Sequence, residues 1–425
     1  MVDFFKTYFS EEDDSISSSL ERDPLGFQPI WTSLGYKIFA GVTTSVATDI
    51  RNYTINLIHH LVVSKLRDTN FFSAFKGRSK ISDVEAQQRL ILALEMMLAY
   101  SALQWSSGDA SGILGISSAR KRWQDRSDNN IINLTKPPTD PKKDEFEGFT
   151  TLLVRQSGLG INGRYKGPFK NMGILDEAGT YDKNSQSDIS EKRTEYKDLV
   201  ETLVKKLMAL QNKNFKLRLD ENNEFIEFYE KAFSSKTVYQ EAKSFWLEKM
   251  NIEEGKLSGD LYKDIVVNDK NIAEQAKKLF TNKQDPVAKQ ICQVEPFLVA
   301  MELLFATLIQ KPNDCQLIDE LMKLCNQFAE AIKNSEDVHS RLEELRGLAL
   351  KQPIKDKLIK YHEKISNERG IHPWITGDKI YKKSQYMSDL DNKVSQAIKG
   401  EIQWRRDYYL ASIRQIKSGF EEKAG

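Results

Sequence analysis

Helical periodicity is the feature that most constrains how this chain folds. Over residues 188–425, apolar residues recur at spacings of three or four almost without interruption, and alternating strand patterns are scarce. That spacing places the apolar side chains on one face of an α-helix. Four prolines divide the region and mark helix ends: Pro286, Pro312, Pro353 and Pro373. We predict a mainly α protein in which residues 188–425 form a C-terminal multi-helix bundle.

Three apolar stripes illustrate the pattern. They are Tyr196, Leu199, Leu203, Leu207 and Leu210; Leu317, Leu321, Leu324, Phe328 and Ile332; and Ile354, Leu358, Tyr361 and Ile365. The most apolar stretch, Phe297–Ile309, is too short to span a bilayer and contains Glu302. It is typical of a buried helix, and no membrane partner is predicted.

The region before residue 127 is also predicted to be helical. Ser82 and Glu85 have the spacing of a capping box that opens one helix. Another helix has an apolar face through Tyr53 and Leu57. Its opposite side carries a polar line, typical of a solvated or helix-contacting surface, that consists of Asp49, Asn52, Asn56 and either His59 or His60.

Two polar stretches, 127–147 and 177–187, interrupt the helical pattern and are predicted to be loops. The chain therefore divides into an N-terminal helical region (1–126), a small module (145–187) and the C-terminal bundle (188–425). The N-terminus has no basic segment followed by an apolar one, so we expect a cytoplasmic protein.

Charge and motifs exclude several classes of function. The net charge of +1 over 425 residues excludes a global polycation, so affinity for polyanions must come from local patches. The chain contains none of the P-loop, kinase, zinc-protease or serine-hydrolase motifs. We accordingly predict no cofactor, no metal site and no catalytic residue, although an active site assembled from distant residues remains an alternative.

The segment Arg155–Asp176 combines five glycines with four basic residues. Its letters include GxGxxG at 158–163, but Gly167 and Pro168 follow too closely for the helix that a dinucleotide fold requires. The dense glycines and cations indicate instead a close approach to an anionic partner.

This segment resembles the helix-turn-helix and wing of winged-helix domains. In that interpretation Phe146, Phe149, Leu152 and Leu153 form a first helix, and Asn162 caps a second helix whose core face is Tyr165, Phe169 and Met172. Gly173 ends the second helix, and the residues after it form a strand. Pro168 departs from the pattern, since it would break this helix or begin it.

A second basic element follows two glycines. Arg120, Lys121 and Arg122 are consecutive, and Trp123 comes directly after them. Three consecutive cations cover a wide arc of a helix, so some must face solvent or a ligand.

Residues 23–176 also resemble uncharacterised bacterial proteins associated with anti-phage defence, through DPLGFQPIW, DIRNYTINLIHH, GILGISSARKRW and LVRQSGLGINGRYKGPFKNMGILD. The resemblance implies a prokaryotic, cytoplasmic subunit of a multi-protein system. It implies no catalytic residue.

We therefore expect a non-catalytic subunit that binds nucleic acid, with duplex DNA as the ligand and other subunits as protein partners. The phosphate contacts are predicted at Arg120, Lys121, Arg122, Arg155, Arg164, Lys166 and Lys170, with Tyr165 near the backbone or a base. One alternative is a helical adaptor that binds an acidic protein, with Trp404–Tyr409 as a contact cluster. A less favoured alternative is a hydrolase whose site gathers Asp49, Asn52, His59 and distant carboxylates.

Overall fold

A computed structural model describes most of the chain. The described residues are 23–105, 110–124, 131–139, 149–153, 156–181, 194–218, 223–234, 242–267, 271–333, 337–351, 353–377, 379–381 and 386–421.

The described residues form helices and a few short strands. The helices are α1 (Gln28–Phe39), α2 (Ile50–Arg67), α3 (Asn70–Ser79), α4 (Asp83–Ala102), α5 (Ile116–Gln124), α6 (Gln156–Leu159), α7 (Ile161–Asn171), α8 (Thr194–Ala209), α9 (Asn223–Ser234), α10 (Lys243–Lys249), α11 (Leu257–Asp264), α12 (Ile272–Thr281), α13 (Pro286–Gln310), α14 (Cys315–Ala331), α15 (Ser340–Ala349), α16 (Ile354–Glu368), α17 (Leu390–Ile398) and α18 (Leu410–Phe420). The strands are β1 (Ile131–Asn133), β2 (Pro138–Thr139), β3 (Phe149–Thr150), β4 (Lys216–Arg218), β5 (Ile375–Thr376) and β6 (Lys379–Ile380).

The predicted fold class is confirmed, because helices dominate and the strands form only two-stranded pairs in the described parts of the chain. β1 pairs with β4 and β5 with β6 in antiparallel fashion, whereas β2 and β3 are parallel. Local sequence explains several helix ends. The Ser82 hydroxyl accepts a hydrogen bond from Glu85 N (3.2 Å), as the capping-box prediction required. Pro286 occupies the first turn of α13, and Pro353 directly precedes α16.

The chain divides into two compact units. One consists of the described residues within Met1–Ala40 and Ile252–Arg414. Its central element is α13, which packs against α1, α12, α14, α16 and α17. The predicted apolar stretch of α13 is buried throughout, with Phe297 and Leu304 fully inaccessible, which confirms the core-helix prediction.

Length and composition alone would also allow α13 to cross a membrane, and no other helix among the described residues meets that criterion. Most of its most apolar 18-residue window, 83%, is buried against the rest of its unit. A core helix meets the same criterion, and the burial of α13 is what a core helix requires.

The second unit consists of the described residues within Gly41–Asn251 and Gln415–Gly425. Its central element is α2, which packs against α3, α4, α7, α8 and α9. Tyr53 of α2 is fully buried and stacks edge-on against Tyr165 of α7, with ring centroids 4.5 Å apart.

This division differs from the segments 1–126, 145–187 and 188–425 expected from sequence. α7 does not stand apart as a module, because its apolar face packs on α2 and α4. The helices after residue 188 do not form one bundle, since α8 and α9 pack on α2 whereas α14, α16 and α17 pack on α13. Spacing along the sequence identified these helices, but it carries no information about which of them share a core.

The structure does not show the winged-helix arrangement in the described residues. Phe149 lies in strand β3, and residues 151–153 are non-helical, so the described residues 149–153 do not form the predicted first helix; Phe146 lies outside the described residues. Gly160, not Asn162, caps α7, and Pro168 lies inside that helix instead of breaking it or beginning it. After Gly173, Leu175 forms a single bridge to Tyr181 in place of a strand.

The second helix of the predicted helix-turn-helix corresponds to α7, and its buried face was predicted correctly. Tyr165 and Phe169 are 1% and 0% exposed, and Met172 is buried at its end. Gly173 follows in the left-handed conformation, with φ of 68°, as the prediction of a glycine stop required. The apolar spacing therefore located this helix even though the surrounding motif is absent.

Candidate functional site

Internal packing explains two of the three glycines of the GxGxxG letters, Gly160 and Gly163. A Cβ on Gly160 would lie 2.7 Å from the Gln156 carbonyl oxygen and closer still to the Glu95 carboxylate. A Cβ on Gly163 would lie 2.5 Å from the Ser157 carbonyl oxygen and closer to the backbone of Gly158. Both positions need glycine because other parts of the same unit approach closely, so the glycines require no bound nucleotide.

The predicted cations of α7 flank its buried face. Arg164 Nε donates to the Leu159 carbonyl (3.0 Å), and Lys170 Nζ donates to the Glu177 carbonyl (2.6 Å). Lys166 is half-buried, and burial, with a smaller contribution from Lys170, lowers its pKa. All three ammonium or guanidinium groups lie at the edge of the helix surface, where each keeps partial access to solvent.

Tyr165 lies in the core. Its ring is 1% exposed, and its hydroxyl accepts from Asp49 N (3.2 Å) and donates to Asp49 O (3.3 Å). In this structure the side chain therefore fastens α7 to the start of α2 and does not face a ligand. Arg155 lies outside the described residues.

The cations of α5 are more accessible. Arg120 and Lys121 are exposed, and neither makes an ion pair with a residue that the structure describes. Arg122 is half-buried and interacts with the Tyr100 hydroxyl. Trp123 packs toward the same tyrosine, with ring centroids 6.1 Å apart.

The loop that precedes α5 and the helix α7 both contact the start of α2. Arg51 Nη2 donates to the Ser111 carbonyl (2.8 Å), and Asn52 Nδ2 donates to the Gly112 carbonyl (3.1 Å). These bonds hold the loop that leads into α5. Because Tyr165 binds the backbone of Asp49, α7 is attached to the same turn.

A cluster of buried polar side chains lies beneath α7. Glu95 accepts hydrogen bonds from Asn162 N (2.5 Å) and Gln156 Nε2 (2.7 Å), and Asn162 Oδ1 accepts from His60 Nε2 (2.8 Å). Burial raises the pKa of Glu95 to about 7, although both hydrogen bonds act in the opposite direction. Sequence reasoning did not identify Glu95, because its position in α4 fits an ordinary helix.

The contact between the neighbouring His59 and Tyr229 depends on the tautomer of the His59 ring. The Tyr229 hydroxyl donates to the Leu94 carbonyl (3.2 Å) and lies 3.2 Å from His59 Nε2. Because a carbonyl can only accept, both contacts are hydrogen bonds only in the tautomer in which His59 Nε2 donates and Nδ1 is an acceptor. Burial lowers the pKa of His59 to about 3, so the ring is neutral at physiological pH.

Three residues of α2 carry buried polar atoms without a hydrogen-bond partner among the described residues. These atoms are Asn52 Oδ1, Asn56 Nδ2, Asn56 Oδ1 and His59 Nδ1. The polar line predicted on α2 thus exists, but it is buried against neighbouring helices and is not solvated. Asp49, which begins the line, forms an ion pair with Arg51 at 2.7 Å.

The aromatic and basic cluster near the C-terminus is built into the core of its own unit. Trp404 and Tyr408 are buried, and Tyr408 Oη donates to Glu295 Oε2 (2.6 Å). Glu295 also accepts from Trp31 Nε1 (3.0 Å) and from the backbone N–H of Arg405 (2.7 Å). The cluster Trp404–Tyr409, predicted as a protein contact, therefore supplies hydrogen bonds to the buried Glu295 carboxylate.

Comparison with protein-family models, curated proteins and solved structures finds no match for this chain. Within the described residues, no group of three or more His, Cys, Asp or Glu side chains has the arrangement of a metal site.

Proposed function

We propose that this chain is a non-catalytic protein that binds duplex DNA through the phosphate backbone. The contacts are made by Arg120 and Lys121 of α5 and by Arg164, Lys166 and Lys170 of α7. The supporting observation is that both basic elements are attached to the first turn of α2, so that one compact unit carries them both. Phosphates are contacted chiefly by such Lys and Arg side chains.

The internal partners of α7 do not prevent this role. Arg164 uses only Nε for Leu159, and the guanidinium group has further donors. Lys170 pairs with Glu177, whose side chain is 95% exposed. Because Glu177 is the exposed partner, a phosphate can take the place of its carboxylate, whereas the bond from Lys170 Nζ to the Glu177 carbonyl remains.

The experiment is a binding titration with a duplex DNA at two salt concentrations. Each phosphate contact contributes about −0.9 to the slope of log K against log salt. The variants Arg120→Glu/Lys121→Glu and Arg164→Gln/Lys170→Gln should each weaken binding and make the slope shallower. Lys197→Glu/Lys231→Glu, which changes two exposed lysines of α8 and α9, is the control. Unchanged affinity in both test variants would contradict the proposed contacts.

The same titration distinguishes the DNA-binding proposal from the alternative of a protein adaptor. A chain that shows no affinity for duplex DNA at low salt, but co-purifies with an acidic protein in fixed ratio, is an adaptor. The proposed setting is that of a cytoplasmic subunit of a prokaryotic multi-protein system, as the resemblance to defence-associated proteins implies.

A further inference from the structure

Three segments of the second unit form a basic surface that contains no acidic residue. They are 70–80, which includes α3; 131–139, which includes β1; and 210–218, which includes β4. None of the three contains Asp or Glu. Their exposed cations are Arg78, Lys80, Lys136, Lys213, Lys216 and Arg218, and we call the first five of these the α3–β4 surface.

Hydrogen bonds bring the three segments together. In the β1–β4 pair, Lys216 lies opposite Asn133, and Leu134 N donates to the Phe215 carbonyl (3.0 Å). Lys136 belongs to the turn that follows, since its N–H donates to the Asn133 carbonyl (3.3 Å). The exposed residues of β1, of β4 and of the turn that follows β1 therefore lie close together.

Arg78 joins α3 to this region. Its Nη1 donates to Asn214 Oδ1 (3.1 Å), and its guanidinium carbon lies 5.4 Å from the centre of the Phe215 ring. These contacts fix the guanidinium plane but leave most of its donors unused. Lys213 and Lys216 are the sequence neighbours of the two residues that Arg78 contacts.

The loop beneath these lysines is held in an uncommon conformation. Asn214 and Phe215 are consecutive residues with φ of 54° and 59°. Left-handed conformations outside glycine cost about 1 kcal/mol or more and persist only where surrounding structure enforces them. Phe215 is fully buried against Phe71 and Phe75, with ring centroids 5.1 and 5.9 Å away, which anchors the loop. The lysines are therefore displayed from a rigid base.

Two acidic residues near this surface, among those that the structure describes, are paired with other cations. Asp83 forms an ion pair with Lys76, and Glu85 pairs with Arg89 (3.1 Å). Arg89 is itself buried and donates to the Thr135 carbonyl (3.3 Å), next to Lys136. None of the five cations of the α3–β4 surface forms an ion pair with a residue that the structure describes.

We propose that the α3–β4 surface is a further phosphate-binding surface that contacts the backbone of the same nucleic acid; this inference rests on the proposed function. Protein–protein interface cores are rich in aromatic residues and poor in lysine. Here four of the five cations are lysines, and the exposed apolar side chain beside them is Ile131, which is 40% exposed. Such a composition fits a line of phosphates better than a protein partner.

The test compares Lys213→Glu/Lys216→Glu with Lys197→Glu/Lys231→Glu, which changes the net charge by the same amount elsewhere in the unit. Arg78 is left intact because its packing on Phe215 supports the loop. For a duplex at about 50 mM salt, the first variant should lose about tenfold or more in affinity, and its log–log salt slope should be shallower by about 2. The control should retain the wild-type slope. Circular dichroism and Tm confirm that each variant is folded.

Equal losses in the two variants would show a general charge effect and overturn the inference. Competition by poly-glutamate as strong as that by DNA would overturn the nucleic-acid assignment in favour of an acidic protein. If only the α5 and α7 variants weaken binding, the inference fails while the proposed function stands. If only the α3–β4 variant does, the inference stands and the α5 and α7 contacts fail. No DNA binding by the wild type overturns both.

Discussion

The Glu95 carboxylate accepts a 2.5 Å hydrogen bond from the backbone N–H of Asn162, in the first turn of α7. An acidic side chain at a helix N-terminus is favoured by the helix dipole and by the unpaired N–H groups there. Because Glu95 belongs to α4, this bond ties the glycine turn of residues 158–163 to a helix about 60 positions earlier. The turn and the buried carboxylate therefore form one structural unit.

Alanine substitutions at Gly160 and Gly158 distinguish two possible reasons for glycine, backbone conformation and close packing, by their effects on the free energy of unfolding. Gly160 has φ of −70°, which alanine adopts freely, so the cost of Gly160→Ala comes from the clash with Glu95 and Gln156 alone. We expect a loss of about 1–3 kcal/mol in the free energy of unfolding, measured by urea denaturation. Gly158→Ala is the matched control, since no atom lies within 4 Å of its added Cβ. Equal stability of the two variants would contradict the packing explanation.

Glu95 should make stability depend on pH. Its pKa is raised from 4.5 to about 7 in the folded protein, so between these values the folded state binds more protons than the unfolded state. The contribution of Glu95 to the free energy of unfolding is therefore fully present below pH 4.5 and is lost as pH rises through 7. Between pH 5 and 8 this loss amounts to about 2.5 kcal/mol. Glu95→Gln removes this contribution. Any pH dependence that comes from His59 and His60 is present in both proteins and cancels in the difference between them.

The measurement is the difference in unfolding free energy between Glu95→Gln and wild type at pH 5, 6, 7 and 8. The variant should be at its greatest disadvantage at pH 5 and should recover toward pH 8. A pH-independent difference would mean that the Glu95 carboxyl titrates near its ordinary value.

Asn56 and Asn162 should respond oppositely to the same substitution. The Asn56 amide is fully buried, and neither of its polar atoms has a partner among the described residues, so Asn56→Leu removes an uncompensated desolvation cost. We expect a gain of about 1 kcal/mol or more. Asn162→Leu instead deprives His60 of its partner and should destabilise by about 1–3 kcal/mol. Thermal unfolding of both variants provides the comparison, and a loss in both would show that the Asn56 amide is satisfied in solution.

Glu295 should be sensitive to loss of its charge. Its two oxygens accept from Trp31, Tyr408 and the backbone of Arg405 and Arg406. In Glu295→Gln the amide nitrogen must face one of these donors, and we expect a loss of about 3 kcal/mol, measured by chemical denaturation. Glu253→Gln, at an exposed position in the same unit, should change little. Similar losses in the two variants would contradict a role for the Glu295 network.

Local sequence predicted the helices well where one face is apolar. The stripes through Leu203, Leu358 and Tyr165 are buried in α8, α16 and α7 as expected. Sequence failed at Phe149 and Leu152, where a short strand and a non-helical segment occupy a stretch that has helical spacing. Short segments fit several conformations, and only their partners, here β2 for Phe149, decide among them.

The sequence by itself determined the helix class, several helix ends and the existence of basic segments, because apolar spacing, caps and prolines act within a few residues. Only the tertiary structure decided which helices share a core, that Tyr165 is buried, and that Gly160 faces Glu95. The α3–β4 surface likewise comes from three segments far apart in the chain. Burial and electrostatic potential depend on contacts between such distant segments, and no local pattern encodes them.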